Sequence, residues 1–134
     1  MKLLVLATDP VGPEDVRAAL GGDADVEGSE VLVVAPAVNE SSVAFWMSDS
    51  DEAIADAQSV AEQTAARLRE QGARARATAG ESEPLLALQD ALTTFPADRI
   101  LLVARTEEEG ARYREDDVAG EAERRFGIPV VEAR

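Results

Sequence analysis

Three runs of the chain, "KLLVLA", "EVLVVAPAV" and "RILLVA", are apolar without alternation and end in turn-forming residues. A strand with one wet face alternates apolar and polar side chains, whereas a strand covered on both faces does not. The runs near 3–7, 31–35 and 100–104 therefore read as central strands of a parallel sheet, an arrangement that requires a helix layer on each side. "ARARATA" instead alternates alanine with Arg74, Arg76 and Thr78, which suits a strand at an edge. "IPVVEA" supplies a fifth strand near 129–133, with Pro129 at its start, where a missing N–H breaks no ladder.

Parallel strands need crossover connections, and the intervening segments carry helical signals. The first opens at Pro13, with Glu14 and Asp15 near the positive helix end, and stops at Gly21-Gly22. The second runs from about Asp51 to Gln71, since Ile54, Ala57, Val60, Ala61, Ala65 and Leu68 form one stripe and Gly72 suits a left-handed cap. Ser48, Asp49 and Ser50 are its candidate N-caps. The third begins after Ser82 with Pro84 in its first turn, places Leu85, Leu88, Leu92 and Phe95 at helical spacing, and ends before Pro96. The fourth spans roughly 116–126, with Val118, Ala122 and Phe126 inward, Arg124 and Arg125 near its negative end, and Gly127 as its stop. Strand and helix alternate through residues 1–134, which predicts a single α/β domain: a three-layer sandwich around a five-stranded parallel sheet. The 134 residues suffice for one core without disulfides.

Composition narrows the chemistry. The chain has no cysteine and no histidine, so thiolate nucleophiles, imidazole bases and nearly every zinc site are excluded. Lys2 is the sole lysine, which removes a Walker phosphate loop and a Schiff base. A formal net charge of −14 opposes contact with nucleic acid or an anionic membrane. "MKLLVLA" is cut off by Asp9 too early for a signal peptide, and no later run approaches spanning length, so a cytoplasmic location is expected.

The order of these pieces resembles the universal stress protein family over essentially the full length. The match rests on Asp9 closing the first strand, the long second helix after a loop, "ADRILLVAR" where the family has Ala-Asp-Leu-Ile-Val-Val-Gly-Ser-Arg, and the terminal "GIPVV". The resemblance implies the adenine nucleotide alpha hydrolase-like fold with strand order 3-2-1-4-5, a homodimer formed through the fifth strand, and a role in stress response. Family members that bind ATP carry a Gly, two residues, a Gly, nine residues, then Gly-Ser or Gly-Thr after the fourth strand. Here those positions fall on Val103, Thr106, Asp116 and Asp117, and all four differ. Glycines let backbone N–H groups approach phosphate, and side chains at 103 and 106 are expected to obstruct that approach. Carboxylates at 116 and 117 oppose phosphate more strongly: like unit charges about 4 Å apart repel by about 4 kcal/mol at an effective dielectric near 20, against roughly 0.3–2 kcal/mol returned by a helix N-terminus.

The acidic first turn has a simpler use, in which Asp116 and Asp117 cap the free N–H groups of the fourth helix in place of an external phosphate. The candidate ligand crevice lies outside the carboxyl ends of the central strands. It comprises Thr8, Asp9, Ala35, Pro36, Arg105, Thr106, Asp116 and Asp117, with no catalytic and no metal-ligating residue assigned. "AFWM" at 44–47 reads as a lid or an interface, and Glu107, Glu108, Glu109 and Glu115 add to the acidity of the loop. The leading expectation is a non-enzymatic regulatory or protein-interaction module without a cofactor, with a second copy or another protein as partner and neither nucleic acid nor membrane. The alternative is an adenine nucleotide or small-ligand binder in which Mg²⁺ bridges ATP or AMP to the carboxylates. An enzyme ranks third, since only carboxylates, Tyr113 and hydroxyls remain for acid–base work.

Overall fold

The computed structural model describes residues 2–7, 14, 16, 28–36, 50–80, 83–103 and 117–133, with the backbone alone at 50–54, 56 and 133. Five strands, β1 (Lys2–Ala7), β2 (Glu30–Pro36), β3 (Arg74–Gly80), β4 (Arg99–Val103) and β5 (Val130–Ala133), form one sheet in the order β3-β2-β1-β4-β5. Every pairing is parallel, with Leu4 opposite Leu32 and Ile100, Leu32 opposite Arg76, and Ile100 opposite Val130. Three helices are described: α1 (Ser50–Glu70), α2 (Pro84–Thr94) and α3 (Val118–Phe126). Glu14 and Val16, the two described residues of the first expected helix, are helical, and Val16 is fully buried.

The unbroken apolar runs are explained by two cores, one on each side of the sheet. Leu3, Val5, Ala7, Val31, Val33, Ala35, Leu101 and Val103 face α1, meeting Ala57, Ala61, Ala65 and Leu68. Leu4, Leu6, Leu32, Val34, Ile100 and Leu102 face the other way, against Leu88, Ala91 and Phe95 of the α2 segment and Val118 and Ala122 of α3. Alternate residues of each central strand thus serve opposite cores, which is why no polar position interrupts them. The edge strand β3 does alternate: Arg74, Arg76 and Thr78 are exposed, while Ala75, Ala77 and Ala79 lie on the α1 side.

The helix ends follow their local chemistry. Gly72 takes φ 90°, and the bonds Ala73 N–H to Leu68 O (3.1 Å) and Gly72 N–H to Arg69 O (3.0 Å) close α1 in a Schellman motif. Glu83 caps α2 by accepting from Leu86 N–H at 2.8 Å, with Pro84 in the first turn. Gly127, at φ 67°, ends α3. Among the described residues no helix is long and apolar enough to cross a membrane. The single lysine starts β1, its ammonium 6.0 Å from the centre of the Phe95 ring, at the end of the sheet opposite to the strand termini considered next.

Candidate functional site

Adjacent strands β1 and β4 send the chain to opposite faces of the sheet. Val16, after β1, joins the α1-side core, whereas α3, after β4, packs into the other core. Connections that part in this way leave a crevice at the carboxyl ends of the two strands, the usual ligand position in an open α/β sheet. The two strands end at the register pair Ala7 and Val103, both buried and both part of the α1-side core. Ala35 and Pro36 end β2 beside them and are buried as well. Thr8, Asp9, Arg105, Thr106 and Asp116 lie outside the described residues, as do the glutamates at 107–109 and 115, Tyr113 and the "AFWM" segment.

Asp117 is the described acidic residue of the candidate set, and its placement corrects the expected cap. The fourth expected helix begins at Val118, with Asp117 at the N-cap position in the left-handed conformation (φ 51°, ψ 45°), and its side chain makes no capping hydrogen bond. Its backbone carbonyl accepts the first helical bond, from Glu121 N–H at 2.9 Å. The carboxylate folds across the opening turn instead and accepts from Arg124 Nη2 at 3.0 Å. Gly120 makes this route possible, because a Cβ there would stand 2.5 Å from both Asp117 carboxylate oxygens. Left-handed backbone costs a non-glycine residue about 1–2 kcal/mol, and aspartate is among the residues that adopt it most readily.

Arg124 is shared: it also donates to Glu121 Oε2 at 3.0 Å, and Arg125 Nε donates to Glu121 Oε1 at 2.8 Å. Hydrogen bonds from Arg124 and then Arg125 hold the Glu121 carboxyl below the usual carboxylate range, and the bonds to Glu121 and then Asp117 push the Arg124 guanidinium up. The Arg124 and Asp117 side chains are 63% and 62% exposed, so water screens their pair and it adds little stability. The role of the network is directional: it commits the Asp117 carboxylate to the chain's own arginine at the entrance of α3. Among the described residues, no group of three acidic side chains is arranged to hold a metal ion.

Sequence reasoning located the strand ends but missed Gly120, although a glycine inside an otherwise good helical pattern signals a close approach. It also missed Gly80, at the end of β3, where a Cβ would stand 2.7 Å from Val34 Cγ1 and 3.2 Å from Ala87 Cβ. That glycine lets α2 lie close to the sheet.

No protein-family model and no curated protein matches the chain. A search of solved structures finds a universal stress protein from Archaeoglobus fulgidus that is 20% identical, with a TM-score of 0.61, over 100% of this chain and 93% of that one. The strand order found here is the one the sequence resemblance implies. Over its whole length, then, this chain has the fold of a universal stress protein.

Proposed function

We propose that the chain is a universal-stress-protein-like regulatory or protein-interaction domain that performs no catalysis, lacks the glycine phosphate loop of the ATP-binding members, and pairs with a second copy through β5. The observation that carries this reading is the side chain at the entrance of α3. An anion approaching that helix end meets the Asp117 carboxylate, already held by Arg124 at 3.0 Å. Phosphate there would have to overcome like charge and take Arg124 from an existing partner. Val103, in place of the first family glycine, commits its side chain to the core below. Homodimerisation is supported by β5, whose outward backbone at Glu132 has no partner among the described residues.

The test is a thermal-shift titration with ATP, ADP and AMP, each with and without Mg²⁺. A nucleotide present at about 100 times its dissociation constant adds about 2.7 kcal/mol of stability, a shift that is easily read. We expect no saturable shift with any of them. A saturable shift that requires Mg²⁺ overturns the reading and establishes the cation-assisted nucleotide site in its place.

A further inference from the structure

We propose that Gln58 and Arg69 of α1 form a side-chain plug that closes the β3 edge of the sheet to strand addition by a second copy of this chain. Arg74 N–H donates to Ser29 O at 2.8 Å, and Arg74 stands opposite Glu30. In a parallel ladder this phase turns the backbone groups of Arg74, Arg76, Thr78 and Gly80 toward β2, and those of Ala75, Ala77 and Ala79 outward. Three N–H and three C=O groups would then stand free along a seven-residue edge, a template for another strand.

Four of the six do not stand free. Arg69 Nε donates to Ala75 O at 2.8 Å. Gln58 Oε1 accepts from Ala79 N–H at 3.1 Å, and Gln58 Nε2 donates to Ala77 O at 3.5 Å. Thr78 Oγ1 covers the remaining carbonyl, Ala79 O, at 3.2 Å. The glutamine amide offers one donor and one acceptor along the edge, as the backbone of an added strand would. Its orientation is set chemically, since Ala79 N–H requires an oxygen, and Glu62 Oε1 accepts from the same Nε2 at 3.3 Å. Glu62 Oε2 also lies 3.9 Å from Arg69 Nη2, so the two plugging residues share a carboxylate neighbour on α1. Among the described residues only the N–H groups of Ala75 and Ala77 keep no partner on the outer side.

The consequence concerns assembly. A sheet with two open edges can add copies head to tail, and such contacts grow without closing. With β3 plugged, addition is confined to the opposite edge. The plug stands on its own geometry and holds whether or not the chain pairs through β5.

The experiment compares the full wild-type chain with Q58L/R69M by sedimentation velocity over a concentration series, with circular dichroism to establish folding. We expect the double variant to form species larger than the largest wild-type species, increasing with concentration. Adding A77P should suppress them, because that proline removes an outward N–H and leaves the β2–β3 ladder intact. A folded double variant with no larger species overturns the proposal, as do larger species that A77P leaves untouched. Should the double variant fail to fold, amide exchange in the wild-type chain decides. After correction for intrinsic rates, Ala79 N–H should exchange at least about fivefold more slowly than Ala77 N–H, the factor expected of one hydrogen bond. Equal rates overturn the plug.

Discussion

β3 and β5 bound the same sheet, yet they are finished by different means. β3 is seven residues long, and α1, a 21-residue helix packed against its inner face, sends Gln58 and Arg69 around the rim to occupy three of its six outward backbone groups. β5 has four residues and is flanked by the nine-residue α3, which sends one group: Glu123 Oε1 accepts from Val130 N–H at 3.0 Å. Ile100 N–H donates to Pro129 O, with Ile100 opposite Val130, so Val130 and Glu132 turn their backbone outward. Beyond the one bond from Val130, that edge has no partner among the described residues. A helix in a layered fold thus has two tasks, burying its apolar stripe and finishing the edge beside it, and the longer helix performs the second more completely.

The largest expected effect tests the open edge. Glu132→Pro removes an outward N–H and leaves the β4–β5 ladder intact. In a symmetric pair two such donors are lost, at about 1 kcal/mol each, so the dimer dissociation constant should rise roughly 30-fold in sedimentation equilibrium. Glu132→Gln, which keeps the N–H, should leave it unchanged. Equal effects of the two substitutions would show that β5 backbone is not the contact, and the comparison between edges would lose its functional meaning.

Next in size is Gly80→Ala, at the carboxyl end of the plugged strand. The added methyl would press on Val34 and Ala87, and overpacking of this kind costs about 1–3 kcal/mol, read from the urea midpoint. No loss would mean that α2 yields readily and that the β3 side is held less firmly than its contacts suggest. A smaller change is expected at the other edge. Glu123→Ala leaves Val130 N–H to water and should cost about 0.5–1.5 kcal/mol, while Glu123→Gln, which keeps an acceptor, should cost less. If the ranking of Gly80 and Glu123 reversed, α3 rather than α2 would be the more tightly fitted helix.

How far these edges could be read from sequence depends on the range of the interaction concerned. The alternation of Arg74, Arg76 and Thr78 with alanine is local, and it marked β3 as an edge. Pro129 likewise marked the start of β5. Gln58, however, sits on the flank of an amphipathic helix, where a polar residue reads as solvated surface, and its partners are 19 and 21 residues away. Asp117 shows the same limit at closer range. An acid at a helix start reads as a cap, but Arg124 seven residues on, together with the space that Gly120 leaves, draws the carboxylate elsewhere. Of the candidate crevice, the sheet end was legible because unbroken apolar runs marked the central strands, while the full strand order came from the family resemblance. Its ligand preference was not, because that depends on where loop side chains converge.

The smallest effect concerns the helix that guards β5. Arg124 and Arg125 hold the Glu121 carboxyl below its ordinary range, so the folded state binds that proton less tightly than the unfolded state does. The resulting stabilisation is fully present above the unfolded value, about 4.3, and is lost as pH falls through the lower folded value. Acidification below about pH 4.3 should therefore loosen α3. Glu121→Gln should weaken that part of the acid dependence and leave the remainder, which belongs to the chain's other carboxylates. Because these side chains are substantially exposed, the change should be small and should shrink further in high salt. Exchange of Val130 N–H is the sensitive readout, since Glu123 on the same helix accepts its proton. If acid and salt leave that amide's protection unchanged relative to Ala79 N–H across the sheet, the ion-pair network does not support the β5 edge, which is then finished by Glu123 alone.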